Sequence, residues 1–266
     1  MLHQTIEKLH ALKLAAMADG LLAQTRQPDI DALGFEDRLA LLVDLQHTAV
    51  QNAALGQRLK ASRLRQTACL EDLDLRTPRG LDRTLIQTLA SCQWLRTPRS
   101  VLVLGPTGVG KTFLACALGH QAARPGFSVL YRRLPHLLDD LAIARVAGRH
   151  RPLFARLARI RLLILDDWAL VRLTAEQRRD LMEVIDDRHD RAATLLASQI
   201  PVDRWFEQIG DATYADAILD RIVHTALMSA VNLSERKQPA APSRKRRSCA
   251  SRTGGGEAVW TSVLKL

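Results

Sequence analysis

Residues 101–112 have the sequence VLVLGPTGVGKT, and this stretch decides the fold of the chain. Its first four residues are apolar, which predicts a buried parallel strand. The remaining eight match the phosphate-binding pattern G-x-x-x-x-G-K-[ST]. The helix predicted from Lys111 onward would point its N-terminus at bound phosphates. A strand, a glycine-rich loop and a helix in this order indicate a nucleotide-binding α/β domain.

The residue types in the loop suit the chemistry of a phosphate chain. Backbone N–H groups can wrap phosphates only where glycine permits the close approach and the curvature. The lysine supplies a flexible positive charge for the β- and γ-phosphates of ATP, and the final threonine hydroxyl is a ligand for Mg²⁺. The predicted ATP-binding residues are Gly105, Pro106, Thr107, Gly108, Val109, Gly110, Lys111 and Thr112.

A second buried strand, later in the chain, ends in two carboxylates. Residues 161–167 have the sequence RLLILDD. Because the carboxyl ends of parallel strands meet at one edge of a sheet, we expect Asp166 and Asp167 to lie beside the phosphates. We predict that Asp166 holds Mg²⁺ together with Thr112, mainly through water, and that Asp167 orients the attacking water.

Two further positions complete the predicted catalytic site. Residues 194–199, TLLASQ, predict another strand, and Gln199 ends it where a side chain can sense the γ-phosphate. Asp211 caps the next predicted helix, which presents Arg221. This arginine is either a salt-bridged surface residue or an arginine finger that acts on the ATP of a neighbouring chain, and its spacing leaves both interpretations open.

The chain is basic, with a formal net charge of +10 over 266 residues. Such a balance predicts a polyanionic partner, either nucleic acid or an anionic surface. Residues 233–266 hold eight Lys and Arg against two Glu, so the folded body is only mildly basic. Residues 141–165 contain arginines without any acid, which is a positive surface that ATP alone does not require. These arginines are Arg145, Arg149, Arg151, Arg156, Arg159 and Arg161.

Helical patterns precede the nucleotide-binding segment, and a polar segment follows it. Residues 5–26 have the apolar spacing of one amphipathic helix, and a longer helix is predicted from near Phe35 to about Arg65. Beyond about Val231 no hydrophobic period persists, which predicts a disordered tail. The predicted domains are a helical N-terminal domain (residues 1–75), an ATPase domain (residues 76–232) and a basic tail (residues 233–266).

No stretch of the sequence predicts a membrane or secretory segment. The N-terminus lacks the layout of a signal peptide, and no apolar run approaches 18 residues. The four cysteines lack the CxxC spacing of a metal site. We therefore expect a soluble protein of the cytoplasm without membrane contact.

Longer strings surround these motifs: FEDRLALLVD, RLRQTACLEDLDLRTPRGLDR, GPTGVGKTFLACALGHQA, LLILDDWAL, LTAEQRRDL, SQIPVDRWFEQIGD and ADAILDRIVH. Together they resemble the IstB-like ATPases of bacterial insertion sequences, which are relatives of the DnaC helicase loader in the AAA+ class. The resemblance extends to about His224. It implies an AAA+ P-loop NTPase domain with a parallel sheet, preceded by an all-helical N-terminal domain. It also implies a homo-oligomer that assembles on double-stranded DNA with ATP and recruits the partner transposase of the same element.

The resemblance also assigns roles to individual residues. The arginine-rich helices before Asp166 occupy the place where this family has helices that face DNA. The remaining assignments are Lys111 and Thr112 to the Walker A motif, Asp166 and Asp167 to Walker B, Ser198 and Gln199 to sensor 1, and Arg221 to the arginine finger.

The end of the chain departs from the family pattern. Family members continue into a last strand and a G-E-S-x-R string that carries the sensor 2 arginine, whereas this chain has TALMSAVNLSERKQPAA. Ser234, Glu235 and Arg236 are a shortened form of that string, which leaves the level of ATPase activity open. Two alternative functions also stay open. One is a helicase loader with the same ATPase core, and the other is a nucleotide-gated DNA scaffold that hydrolyses little ATP.

Overall fold

A parallel five-stranded sheet lies at the centre of the larger compact unit, which begins at Arg58. The computed structural model describes residues 1–75, 81–224 and 226–233, and the strand count refers to these residues. The strands are β1 (Ser100–Leu104), β2 (Val129–Arg133), β3 (Leu162–Asp166), β4 (Ala193–Ser198) and β5 (Ala226–Asn232). Their order across the sheet is β2-β3-β4-β1-β5.

Helices precede the sheet and connect its strands. In chain order the α-helices of the described residues are α1 (Leu2–Ala11), α2 (Ala15–Gln24), α3 (Phe35–Ser62), α4 (Arg83–Ala90), α5 (Gln93–Arg96), α6 (Lys111–Ala123), α7 (Leu134–Val146), α8 (His150–Arg159), α9 (Ala175–Arg188), α10 (Trp205–Ile209) and α11 (Ala212–Leu219). A π-helical segment, Asp220–His224, follows α11. None of these helices combines the length and the apolar character that crossing a membrane requires.

The central strands β1, β3 and β4 are buried along their whole length. Strands covered on both faces by helices have continuous apolar sequences, as these do. The register aligns Leu104 with Ser198 and Arg133 with Asp166. Because the strands are parallel, their last residues meet at one side of the sheet, which we call the carboxyl edge. The predicted α/β fold with a parallel sheet is confirmed.

Two helices begin at side-chain caps, and the second of these caps, Asp211, is one that the sequence predicted. Thr174 and Gln177 form a capping box at the start of α9. The side chain of Asp211 accepts a hydrogen bond from the Tyr214 N–H at the start of α11. Such caps satisfy N–H groups that have no partner within the helix, and they therefore fix where α9 and α11 begin.

A buried arginine holds the end of α8 in place. Arg188, the last residue of α9, is 1% exposed. Its guanidinium donates to the carbonyl oxygen of Leu157 at 2.5 Å, to that of Ile160 at 2.8 Å and to Thr194 Oγ1 at 3.1 Å. Burial lowers the pKa of Arg188 to about 9. These bonds join α8, α9 and β4, and they orient α8 on the body of the domain.

Residues 1–57 belong to a second compact unit. The single helix predicted over residues 5–26 is wrong, because α1 and α2 are separate helices. Lys13 between them adopts a left-handed conformation with a φ of 62°, and the Leu14 N–H turns back to the Leu9 carbonyl at 2.8 Å. At Gly20 a Cβ would lie 2.7 Å from Leu45 Cδ1, so glycine allows α2 to approach α3 closely.

A last strand is present in the segment where the sequence was expected to leave the family pattern. β5 pairs with β1 in parallel, with an irregularity in register between Ser100 and Leu102. The predicted loss of hydrophobic pattern near Val231 therefore falls inside a strand. Arg236 and residues 234–266 of the predicted tail lie outside the described residues. The domain limits at residues 75 and 232 stay predictions.

Candidate nucleotide-binding site

The loop between β1 and α6 has the backbone conformation of a phosphate-binding loop. Gly105, Gly108 and Gly110 have φ values of 146°, 85° and 102°, which glycine adopts readily and other residues do not. At Gly105 a Cβ would lie 2.3 Å from the carbonyl oxygen of Leu233, which follows β5 directly. The Leu233 N–H donates to the Leu104 carbonyl at 2.8 Å. The loop therefore packs against the chain that leaves β5.

Lys111, the first residue of α6, extends over this loop. Its Nζ donates to the Pro106 carbonyl oxygen at 2.7 Å. Burial lowers the pKa of Lys111, while the nearby carboxylates of Asp166 and Asp167 act in the opposite direction. The ammonium group therefore lies at the loop, where a phosphate oxygen could replace the Pro106 carbonyl as its partner.

Asp166 ends β3 and is only 2% exposed. Its Oδ2 accepts hydrogen bonds from Thr112 Oγ1 and from the Tyr131 hydroxyl, each at 2.7 Å. Its Oδ1 accepts the Asp167 N–H at 2.9 Å. The structure thus brings together Thr112 and Asp166, the two predicted metal ligands.

The ligand set at this point suits one kind of cation. Within the described residues, no three His, Cys, Asp or Glu side chains cluster in a way that could hold a metal ion. A cation beside Thr112 and Asp166 would take its remaining ligands from phosphate and water. Mg²⁺ is usually bound in this manner, so the oxygen donors present fit magnesium–ATP.

Tyr131, in the middle of β2, is a site residue that sequence analysis missed. Its side chain is 5% exposed. Burial raises the pKa of the Tyr131 hydroxyl, and the hydrogen bond to Asp166 raises it further. The hydroxyl therefore stays protonated and donates to the Asp166 carboxylate. The available signal was a side chain with a polar tip that follows two apolar residues of β2, and the sequence does not indicate which side chain that tip meets.

Asp167 is held by an ion pair with Arg133, which sequence analysis also missed. The backbone of Asp167 is left-handed, with a φ of 57°. Its Oδ2 accepts a hydrogen bond from Nε of Arg133, the last residue of β2. This hydrogen bond raises the pKa of Arg133. The two side chains are 25% and 40% exposed, so the pair is open to solvent and can separate at low cost.

The two residues assigned to sensor 1 have different positions. Gln199 Oε1 accepts a hydrogen bond from Thr107 Oγ1 in the loop. Ser198 is completely buried, and its Oγ donates to the Trp168 carbonyl at 2.8 Å. Gln199 therefore contacts the loop, whereas Ser198 fixes the chain that follows Asp167.

Arg221 lies apart from the other predicted site residues of its own chain. Its Nε donates to Asp186 Oδ1 at 2.7 Å, and its Nη1 donates to the Ala217 carbonyl at 3.0 Å. It lines a small cavity with Ser100 and Thr194, which lie at the starts of β1 and β4. This is the edge of the sheet opposite the carboxyl edge, so Arg221 does not contribute to the ATP site of its own chain.

Clefts open on two sides of the loop. The first, of about 440 Å³, is lined by Arg65, Gln66, Thr107, Gly108, Gly110, Lys111, Thr112, Phe113, Asp166, Asp167, Ala197 and Gln199. The second, of about 320 Å³, is lined by Asp72, Leu73, Asp74, Leu81, Gly108, Val109, Gly110, Phe113, Leu114 and Leu233. Both volumes are typical of small-molecule sites. We call them the phosphate cleft and the distal cleft.

The family described as "IstB-like ATP binding protein" matches residues 7–242 of this chain. The chain belongs to the IstB-like ATP-binding proteins. Two relatives agree with this membership. An insertion sequence ATP-binding protein of Sinorhizobium fredii is 43% identical over 84% of this chain and 91% of its own length. The ATP-binding protein of insertion sequence IS1162 from Pseudomonas fluorescens is 46% identical over 76% of this chain and 87% of its own length.

Solved structures share the fold of this IstB-like protein. DnaI matches with a TM-score of 0.54 and 18% identity, over 66% of this chain and 93% of its own. The DnaC helicase loader matches with a TM-score of 0.51 and 15% identity, over 62% and 96% of the two chains. The replication initiator DnaA, bound to AMPPCP and single-stranded DNA, matches with a TM-score of 0.53 and 16% identity, over 65% and 52%. The AAA+ fold implied by the resemblance is confirmed.

Proposed function

We propose that this IstB-like protein is a magnesium-dependent ATPase that assembles on double-stranded DNA with ATP and promotes transposition by the transposase of its element. One observation carries the proposal: Lys111, Thr112, Asp166 and Asp167 converge at the carboxyl edge, beside a cleft large enough for a triphosphate. The insertion sequence names of the relatives support the link to a transposase.

In this proposal the residues that converge at the carboxyl edge have distinct tasks. Lys111 binds the β- and γ-phosphates in place of the Pro106 carbonyl. Thr112 and Asp166 hold the magnesium ion, which neutralises charge on the phosphates when it is bound. Tyr131 keeps Asp166 in position, and Asp167 orients the attacking water. The apolar side chains of the distal cleft suit the adenine and ribose.

Asp167 can orient a water only after it leaves Arg133. Replacing Asp167 with Asn should leave ATP affinity within about twofold, since the side-chain hydrogen bond of Asp167 goes to Arg133 and not to the loop. Hydrolysis should fall by about 10²–10⁴-fold, the usual contribution of a positioned acid–base group. The DNA-bound state should then persist. Nucleotide titration and phosphate release measure the two effects separately.

The matched variant for Asp167→Asn is Arg133→Gln, which breaks the same ion pair from the other side. We expect Arg133→Gln to hydrolyse ATP at least as fast as the unmodified chain, because it frees the carboxylate. Equal losses in both variants would make the pair structural and would contradict the role of Asp167.

DNA contact is proposed for α8 and the residue before it. Of the six arginines in residues 141–165, the structure gives two a role inside the protein. Arg145 pairs with Asp180, and Arg161 donates to the carbonyl oxygens of Leu95 and Arg191. The remaining four are exposed, and we call them the α8 arginines: Arg149, Arg151, Arg156 and Arg159.

A double variant, Arg151→Ala with Arg156→Ala, tests this surface. If each arginine neutralises one DNA phosphate, the slope of log affinity against log salt concentration should become shallower by about two. Binding should weaken to the same extent for every DNA sequence. The control is Arg96→Ala with Arg204→Ala, which removes two exposed charges elsewhere. Fluorescence anisotropy of a labelled duplex across a salt series gives both slopes. The assignment of the α8 arginines to DNA contact would be refuted if the loss of affinity differed between DNA sequences. It would also be refuted if the two double variants had equal salt slopes.

A nucleotide-gated scaffold with little turnover is a second candidate function. The observation that favours this function is the ion pair between Arg133 and Asp167, because it engages the carboxylate that would orient the attacking water. ATP hydrolysis measured with and without duplex DNA separates the two candidates. The ATPase proposal expects turnover that rises when DNA is present, and the scaffold expects binding of both ligands with negligible turnover in either condition.

A further inference from the structure

Arg65 lines the phosphate cleft together with Lys111, Asp166 and Gln199. It comes from the segment after α3, which ends three residues earlier at Ser62, and not from the loop or the sheet. None of the motifs discussed above accounts for a basic side chain at this position.

The position of Arg65 within the cleft follows from its neighbours. Arg65 lies within hydrogen-bonding reach of the Tyr131 hydroxyl. The same hydroxyl donates to Asp166 Oδ2 at 2.7 Å, the oxygen that also accepts from Thr112. Arg65 thus lies on the Asp166 side of the cleft, away from the distal cleft.

The charges of the cleft leave a task for this arginine. Among the described residues that line it, Arg65 and Lys111 have cationic side chains, and Asp166 and Asp167 have anionic ones. Arg65 is solvent-exposed, and its guanidinium can donate several hydrogen bonds to one phosphate group. The terminal phosphate of ATP is the part that would extend toward Asp166 and Gln199.

We propose that Arg65 binds the γ-phosphate of ATP in the same chain and so makes the site prefer ATP over ADP. This inference rests on the proposed function, because it needs a nucleotide in the phosphate cleft. It assigns the discrimination between ATP and ADP to a residue three positions after the end of the long helix α3. ADP lacks the γ-phosphate, and its last phosphate would lie nearer to Lys111. Arg65 would therefore not contact ADP.

The test is the ratio of ATP to ADP affinity, measured by calorimetric titration of the full chain with each magnesium nucleotide. In Arg65→Ala the affinity for ATP should fall about 10- to 100-fold, the range expected for a charge-assisted hydrogen bond, while the affinity for ADP stays within about twofold. Arg65→Lys, which keeps the charge without the planar donors, should lose less. Lys60→Ala removes an exposed charge near the end of α3 and should change neither affinity.

Tyr131→Phe separates direct phosphate binding from an effect through Asp166. It removes the hydroxyl that links Arg65 to Asp166 and should keep the ATP-to-ADP ratio. If Tyr131→Phe reproduces the Arg65→Ala ratio, Arg65 acts on Asp166 and the proposal is wrong. An unchanged ratio in Arg65→Ala, or equal losses for both nucleotides, also overturns it. If Arg65→Ala does not fold, the same criteria apply to Arg65→Lys.

The proposed function fails in a different way. A wild-type chain that binds neither nucleotide, or an ATP affinity that Lys111→Ala leaves unchanged, would refute the ATP site itself. Normal binding that depends on Lys111 but not on Arg65 refutes only the assignment of Arg65.

Discussion

We expect the Lys111→Ala variant to lose ATP binding and, with it, the proposed ATP-dependent assembly on DNA. The lysine would meet both the β- and the γ-phosphate, and charge-assisted hydrogen bonds contribute about 1.5–3 kcal/mol each. ATP affinity should therefore fall at least about 100-fold. The fold should persist, because the Lys111 Nζ donates to a single backbone carbonyl, that of Pro106, at an exposed position.

Nucleotide titration and thermal unfolding of the same samples check this expectation. Lys60→Ala is the control for the loss of one positive charge, since Lys60 is exposed and does not line the phosphate cleft. A Lys111→Ala chain that binds ATP with unchanged affinity and still assembles would contradict the assignment of the loop.

Arg221→Ala should lower ATP hydrolysis by ~10³–10⁵-fold, the general range for arginine fingers. Arg221 lies at the edge of the sheet opposite its own loop, beside Ser100 and Thr194. It can therefore supply charge only to the ATP of a neighbouring chain. Activity should rise faster than linearly with protein concentration, and the variant should still bind ATP because its own loop is intact.

Two comparisons distinguish a finger from a structural ion pair at Arg221. Asp186→Asn removes the carboxylate that Arg221 contacts at 2.7 Å but leaves the arginine in place. A finger predicts near-normal hydrolysis in Asp186→Asn, whereas a structural pair predicts equal losses in both variants. Mixing Arg221→Ala with Lys111→Ala chains should restore some activity at mixed interfaces. The absence of rescue at every ratio would count against the finger.

Local pattern in the sequence predicts the loop and the strand end of the candidate site. The glycines and Lys111 can be identified from the loop alone, because backbone conformation and phosphate chemistry restrict the residue types. The apolar run that ends at Asp166 likewise predicted a buried strand of a parallel sheet, and in the structure Asp166 accepts a hydrogen bond from Thr112 at the start of α6.

The contacts that the sequence could not predict are those between neighbouring strands and helices. Tyr131 and Arg133 reach Asp166 and Asp167 only because β2 lies next to β3 in a particular register. Arginine density likewise could not separate Arg145, which pairs with Asp180, from the exposed α8 arginines. These roles depend on which residues are neighbours in the folded protein. Such neighbours leave no periodic pattern in the sequence.

The apolar spacing of the sequence also gave a wrong prediction where the backbone of one residue interrupts a helix. The apolar spacing across residues 5–26 continues through Lys13, yet the left-handed backbone there separates α1 from α2. At the other end, Ala226–Asn232 pairs with β1 as a strand where the sequence was expected to leave the family pattern, and the family match itself continues to residue 242.

The binding of the full chain to a labelled DNA duplex, measured at one salt concentration, tests the central claim most directly. The nucleotide is varied among a non-hydrolysable ATP analogue, ADP and none, with Lys111→Ala measured in parallel. The account predicts tight, cooperative binding with the ATP analogue alone, and none of this enhancement in Lys111→Ala. Equal DNA affinity in all three nucleotide conditions, or an enhancement that survives Lys111→Ala, would contradict it.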